Sequence, residues 1–157
     1  MFAGFLFSDK MKKSPTEILR DGRLVLDPVM EKFGFIFAGV LSGKGSGGPY
    51  ASGTYLNKDR KLQIHFRYSL GLVTYHFGTL SMDHASYMRA LLGNVGGNKY
   101  PGFADSPLVQ FDDLAYDLRT YATAFLNGDF DLFEKYSRVA TERNKIPGFS
   151  RLAQYES

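Results

Sequence analysis

The chain has 157 residues, 44% hydrophobic and 22% charged, with a net charge of +3 and no cysteine. That length suits a single domain able to bury about 68–70% of its unfolded surface, and the balance of apolar to charged residues excludes the disordered class. The missing cysteine excludes disulfides, thiol catalysis and Cys-ligated metals, and the weak net charge comes with none of the usual nucleic-acid motifs.

Charge is spread unevenly along the sequence. Residues 40–104 hold seven Lys/Arg and two Asp, a local +5, whereas residues 105–134 hold seven Asp/Glu and one Arg, a local −6. A basic sheet beneath an acidic helix accounts for this within one domain, and a single-sign surface also steers association with a partner. Fourteen Phe and ten Tyr, with no Trp, predict an aromatic core with tyrosine hydroxyls at its rim.

Residues 1–13 are read as an arm carrying Phe2, Phe5 and Phe7, available to tuck onto the body or to extend a sheet edge. Its apolar run is too short for a membrane span or the core of a signal peptide, so a soluble, cytoplasmic protein is expected. Ser14-Pro15-Thr16-Glu17 is a capping box with proline at the first helical position. Gly22 weakens the helix that follows, and Asp27-Pro28 reads as a second start ending at Gly34. One kinked helix and two short ones both satisfy this pattern.

Phe35 to Leu41 and Tyr50 to Leu56 read as strands around the glycine-rich Ser42–Pro49. Gly43-Lys44-Gly45-Ser46-Gly47-Gly48 matches G-x-G-x-x-G, but the dinucleotide motif needs a helix after it and a strand is expected here. A hairpin loop is the plain reading. Anion binding through Lys44 and the backbone around Gly45 and Gly47 is the functional one.

Lys61 to Gly78 is expected to form a hairpin turning at Leu70-Gly71. Alternation then puts Ile64, Phe66, Tyr68, Val73, Tyr75 and Phe77 on a core face. The opposite face carries Gln63, His65, Arg67, Ser69, Leu72, Thr74 and His76, with His65 directly across from His76. Two facing imidazoles beside an arginine suit a small anion, or acid–base work near neutrality. A metal needs a third ligand, and no carboxylate stands at a motif spacing.

Asp83 or Ser81 is placed to cap a helix running to Leu92 and closed by Gly93. His84 is read with that cap. Residues 94–106 form a long loop in which Tyr100 and Phe103 are aromatic candidates for a partner surface. Ser106-Pro107 opens a helix whose apolar residues, Leu108, Phe111, Leu114, Ala115, Leu118, Tyr121, Ala122, Phe125 and Leu126, recur at helical spacing up to Gly128. Asp112, Asp113 and Asp117 occupy its other faces and read as solvated. A last helix starts at Asp129 with Leu132, Phe133, Tyr136, Val139 and Ala140 inward, followed by a basic tail that packs through Ile146 and Phe149.

The expected fold is α+β in two layers: a four-stranded antiparallel meander over about 35–78, preceded by a helix and packed against C-terminal helices. No catalytic or cofactor motif is present, and none for a metal. The sequence therefore points to a non-enzymatic interaction or regulatory domain. The alternative is a small-anion or phosphate-ligand protein, possibly an enzyme, that uses the polar face of the 61–78 hairpin and the 42–48 loop.

Overall fold

The computed structural model describes residues 13–102 and 106–144. The arm's phenylalanines, Phe103 and the tail residues Ile146 and Phe149 lie outside them. Helix α1 (Pro15–Lys32) leads into a meander of β1 (Ile36–Gly45), β2 (Gly48–Asn57), β3 (Arg60–Phe66), β4 (Leu70–Phe77) and β5 (Leu80–Asp83). Helices α2 (His84–Leu92), α3 (Pro107–Tyr121), α4 (Thr123–Asn127) and α5 (Phe130–Asn144) follow. The strands pair antiparallel in the order β1-β2-β3-β4-β5, so the sheet has five strands, one more than the sequence suggested. No helix among the described residues is long and apolar enough to cross a membrane.

The capping box works as expected: Ser14 Oγ accepts from Glu17 N at 3.2 Å. Residues 15–32 are one helix, so Asp27 is an interior residue and not a second N-cap. Pro28 denies the helix one backbone bond, a cost of about 3 kcal/mol in an isolated helix. Burial of Leu26, Val29 and Met30 around it offsets that cost. Asp27 instead accepts from the Tyr55 hydroxyl at 2.6 Å, which anchors the helix to β2.

The core lies between one sheet face and the helices. Tyr55, Leu62, Ile64, Phe66, Val73, Tyr75 and Phe77 supply the sheet side; Leu19, Met30, Phe111, Leu118, Phe125 and Phe133 supply the helical side. Arg60 belongs to this architecture. Its guanidinium donates to Phe125 O at 2.8 Å and Leu126 O at 2.6 Å, closing the carbonyl end of α4. The helix expected to run to Gly128 breaks at Ala122, and α4 ends in left-handed Gly128. Leu108 does not join the apolar stripe and is exposed.

Candidate functional site

The 61–78 hairpin has a different register from the expected one. Leu62 pairs with Tyr75 and Ile64 with Val73, and a bulge that sets Gly71 and Leu72 of β4 against His65 precedes Phe66↔Leu70. Arg67, Tyr68 and Ser69 form the turn, while Leu70 and Gly71 belong to β4. His65 therefore does not face His76. His65 is paired with Ser52 of β2, and His76 lies between Lys61 and Ser81. The two-histidine site is not assembled, and no group of three His, Asp or Glu suited to a metal occurs among the described residues. Tyr68 leaves the core face with the turn and is 76% exposed.

A different cluster forms in its place. The 42–48 stretch is a tight hairpin in which Ser46 and Gly47 join β1 to β2, so Lys44 and Gly45 are strand residues. Its tip lies against the β3–β4 turn. Arg67 packs its guanidinium 5.7 Å from the Tyr50 ring centroid, and the Tyr50 ring lies 5.2 Å from that of His65. The same guanidinium fills the space beside two glycines: a Cβ at Gly45 would lie 3.1 Å from Arg67 Nη2, and one at Gly47 would collide with Nη1. The Tyr68 hydroxyl donates to Gly47 O at 2.5 Å and ties the two turns together.

Gly45, Gly47, His65 and Arg67 thus meet at one end of the sheet; Lys44 alternates with Gly43 and Gly45 onto the opposite face, and His76 stands apart. No ion pair joins Lys44 or Arg67 to a carboxylate among the described residues. Arg67 Nε is buried without a hydrogen-bond partner there, as is His76 Nε2. Burial, and secondarily the charge of Lys61, pulls the His76 imidazole below its ordinary pKa, so His76 adds no charge to this face at neutral pH.

This face of the sheet is the one opposite the core. Leu41, Leu56 and Leu72 are exposed on it alongside Ser52, Thr54, Gln63 and Thr74. At the β5 end, Ser81, Asp83 and Thr74 border a groove of about 360 Å³ closed by Ser137, Ala140 and Thr141 of α5.

The most connected polar cluster is buried on the other face, and its members were read from the sequence as unrelated. Asp117, taken as solvated, is fully buried. Its carboxylate accepts from His84 Nε2 at 2.9 Å, Lys99 N at 2.7 Å and Tyr100 N at 2.8 Å. With Nε2 donating, His84 Nδ1 accepts the Tyr75 hydroxyl at 2.7 Å. Burial raises the Tyr75 hydroxyl well above its ordinary pKa.

A Tyr–His–Asp chain is a familiar acid–base arrangement, but here both carboxylate oxygens are occupied by protein donors and the imidazole is 2% exposed. It serves to clamp the 93–102 loop onto the core. Tyr100 is part of that clamp: it is 6% exposed, and its hydroxyl donates to Leu70 O at 2.7 Å, which removes it from any partner surface. One sequence signal for the burial of Asp117 existed. It stands three residues after Leu114 and four before Tyr121, inside the apolar stripe of α3.

No protein-family model matches the chain, and neither a curated protein nor a solved structure is significantly similar to it. The site geometry alone carries the functional reading.

Proposed function

We propose that the chain is a small, non-enzymatic interaction domain that regulates another protein by docking it on the open face of the sheet. The observation that carries this is the cluster of Tyr50, His65 and Arg67 on that face, with no carboxylate paired to Arg67 among the described residues. A cation left unpaired on a protein surface attracts an acidic partner and orients its approach. Leu41 and Leu72 add exposed apolar area on the same face, and Leu56 adds more toward its far end. Arg67 stacked on Tyr50 is the combination of residue types that dominates binding energy at interfaces.

A second reading is favoured by one detail, the buried Arg67 Nε without an acceptor. A small anion such as phosphate or a carboxylate would satisfy that donor, with the N–H groups of the 45–48 turn nearby.

Native mass spectrometry of the tagged chain, purified from its own host, separates the two. The interaction reading expects a co-purifying acidic protein that is lost in Arg67→Glu. A monomer with no partner, whose melting temperature rises with millimolar phosphate, supports the anion reading instead. A partner that binds Arg67→Glu as well as the wild type removes the open-face reading.

A further inference from the structure

The strand at the outer edge of the sheet offers a second surface, distinct from the Arg67 cluster. β1 spans Ile36–Gly45 and, among the described residues, pairs with β2 alone. Among the described residues no backbone group hydrogen-bonds to its other side. In an antiparallel pair, alternate residues of an edge strand point their N–H and C=O groups outward.

Two features disturb the edge at its start. The register shifts between Phe37 and Gly39, leaving Ala38 unpaired, and Gly39 takes φ +125° with open space where a Cβ would lie. Beyond them, Gly39 to Gly45 pairs with β2 without interruption. Among the described residues this stretch is a regular edge with no neighbour on its outer side.

Beside the start of the edge, around the register shift, lies a groove of about 420 Å³, walled on one side by Arg20, Arg23 and Leu24 of α1 and floored by residues 37–40 of β1. Its apolar lining is partly open, with Leu24 67% exposed. Its two arginines differ. Arg23 is paired with Asp27 at 3.1 Å and stacked 4.1 Å from the Phe37 ring centroid. Arg20 is exposed, with no ion pair to a carboxylate among the described residues. Lys44 stands near the other end of the strand, and β1 itself carries no acid.

We infer that β1 accepts an extended, acidic segment of a partner protein as a sixth strand, with its side chains entering the groove against α1. Main-chain hydrogen bonds to an edge supply affinity in this mode, and pockets for alternate side chains supply specificity. Charge complementarity sets the chemistry of the occupant. Five residues of strand between Gly39 and Lys44 span roughly 17 Å at about 3.3 Å per residue. One carboxylate near Arg20 and a second four to six residues away near Lys44 would therefore both be matched. The site adds a contact to the open-face reading and does not use Arg67.

The test is selection from a displayed library of random decapeptides against the full chain, followed by amide chemical-shift mapping with the strongest peptide. Enriched sequences should alternate apolar with other residues and carry Asp or Glu at that spacing. Shifts should centre on residues 36–44. Arg20→Glu, on an exposed helical position, should weaken that peptide by roughly tenfold, worth about 1.4 kcal/mol, and turn the selection toward lysine. N-methylation of alternate peptide nitrogens should abolish binding, because it removes the ladder and leaves the side chains.

No enrichment overturns the inference, as does enrichment indifferent to Arg20→Glu or to N-methylation. Shifts confined to His65 and Arg67 overturn it while leaving the open-face reading intact. Loss of binding in Arg67→Glu with Arg20→Glu silent does the same.

Discussion

On the helix-covered side of the sheet, Tyr75, His84 and Asp117 spend their polar groups on one another and on the backbone of Lys99 and Tyr100. On the opposite side, among the described residues, Arg67 Nε and His76 Nε2 have no hydrogen-bond partner and Arg67 is joined to no carboxylate. Both regions contain histidine, tyrosine and charge, so residue type alone does not tell a site from a scaffold. What differs is saturation. A buried network with each donor matched rigidifies the fold; a surface cluster with donors to spare is suited to meeting something else.

This contrast is broken most forcefully from the closed side. Asp117→Ala leaves His84 Nε2 and the amides of Lys99 and Tyr100 without their acceptor. It should cost about 3–5 kcal/mol in urea unfolding, because three donors in the buried cluster lose their acceptor at about 1–3 kcal/mol each. A loss below about 1 kcal/mol would mean that water already reaches the cluster.

Gly22→Ala comes next. Alanine is the better helix former by about 1 kcal/mol, but a Cβ there would run into the fully buried Phe111 ring. Net destabilisation of about 1–3 kcal/mol is expected, with a lower thermal midpoint.

The buried tyrosines give the closed side a pH signature. Burial raises the hydroxyls of Tyr55, Tyr75 and Tyr87, and pushes Tyr100 up to about 12. Above the ordinary value of about 10 the unfolded chain releases protons that the folded chain retains, so stability must fall as pH rises through 10 to 12. Unfolding midpoints followed by circular dichroism should decline over that window. Tyr100→Phe should flatten the decline; an unchanged slope would mean that Tyr100 ionises as freely in the folded chain as in the unfolded one.

The smallest effect on stability belongs to the open side. Arg67→Glu should leave the urea midpoint within about 0.5 kcal/mol of wild type, because it removes no ion pair with a carboxylate among the described residues. A larger loss would make Arg67 a packing residue for the two turns and not a binding one.

Much of the closed side was legible in the sequence. The cap at Ser14, the cap at Asp83 and the apolar alternation of Ile64, Phe66, Val73, Tyr75 and Phe77 all act locally, and the structure keeps each of them. The register of β3 against β4 was not legible, for a physical reason. Tyr75 was expected opposite Phe66 and lies opposite Leu62, a slip of four residues. An even slip leaves every side chain on its original face, so alternation has no power to detect it.

The bulge of Gly71 and Leu72 opposite His65 and the turn at 67–69 then carry Arg67 toward Gly47, a neighbour that hairpin spacing does not suggest. The Asp117–His84 pair spans 33 residues and rests on a loop folding back, which no local pattern encodes. The edge groove is likewise a product of topology: α1 and β1 are adjacent in sequence, but only the strand order leaves β1 outermost.

The central claim is that the face the helices leave open is the face that binds. Hydrogen exchange of the chain alone and in complex with its co-purified partner tests this most directly. The account predicts slowed exchange across residues 36–52 and 63–68, with α3 between Phe111 and Tyr121 unchanged. Slowing confined to the outer surfaces of α3 and α5, with the strands unaffected, would contradict it.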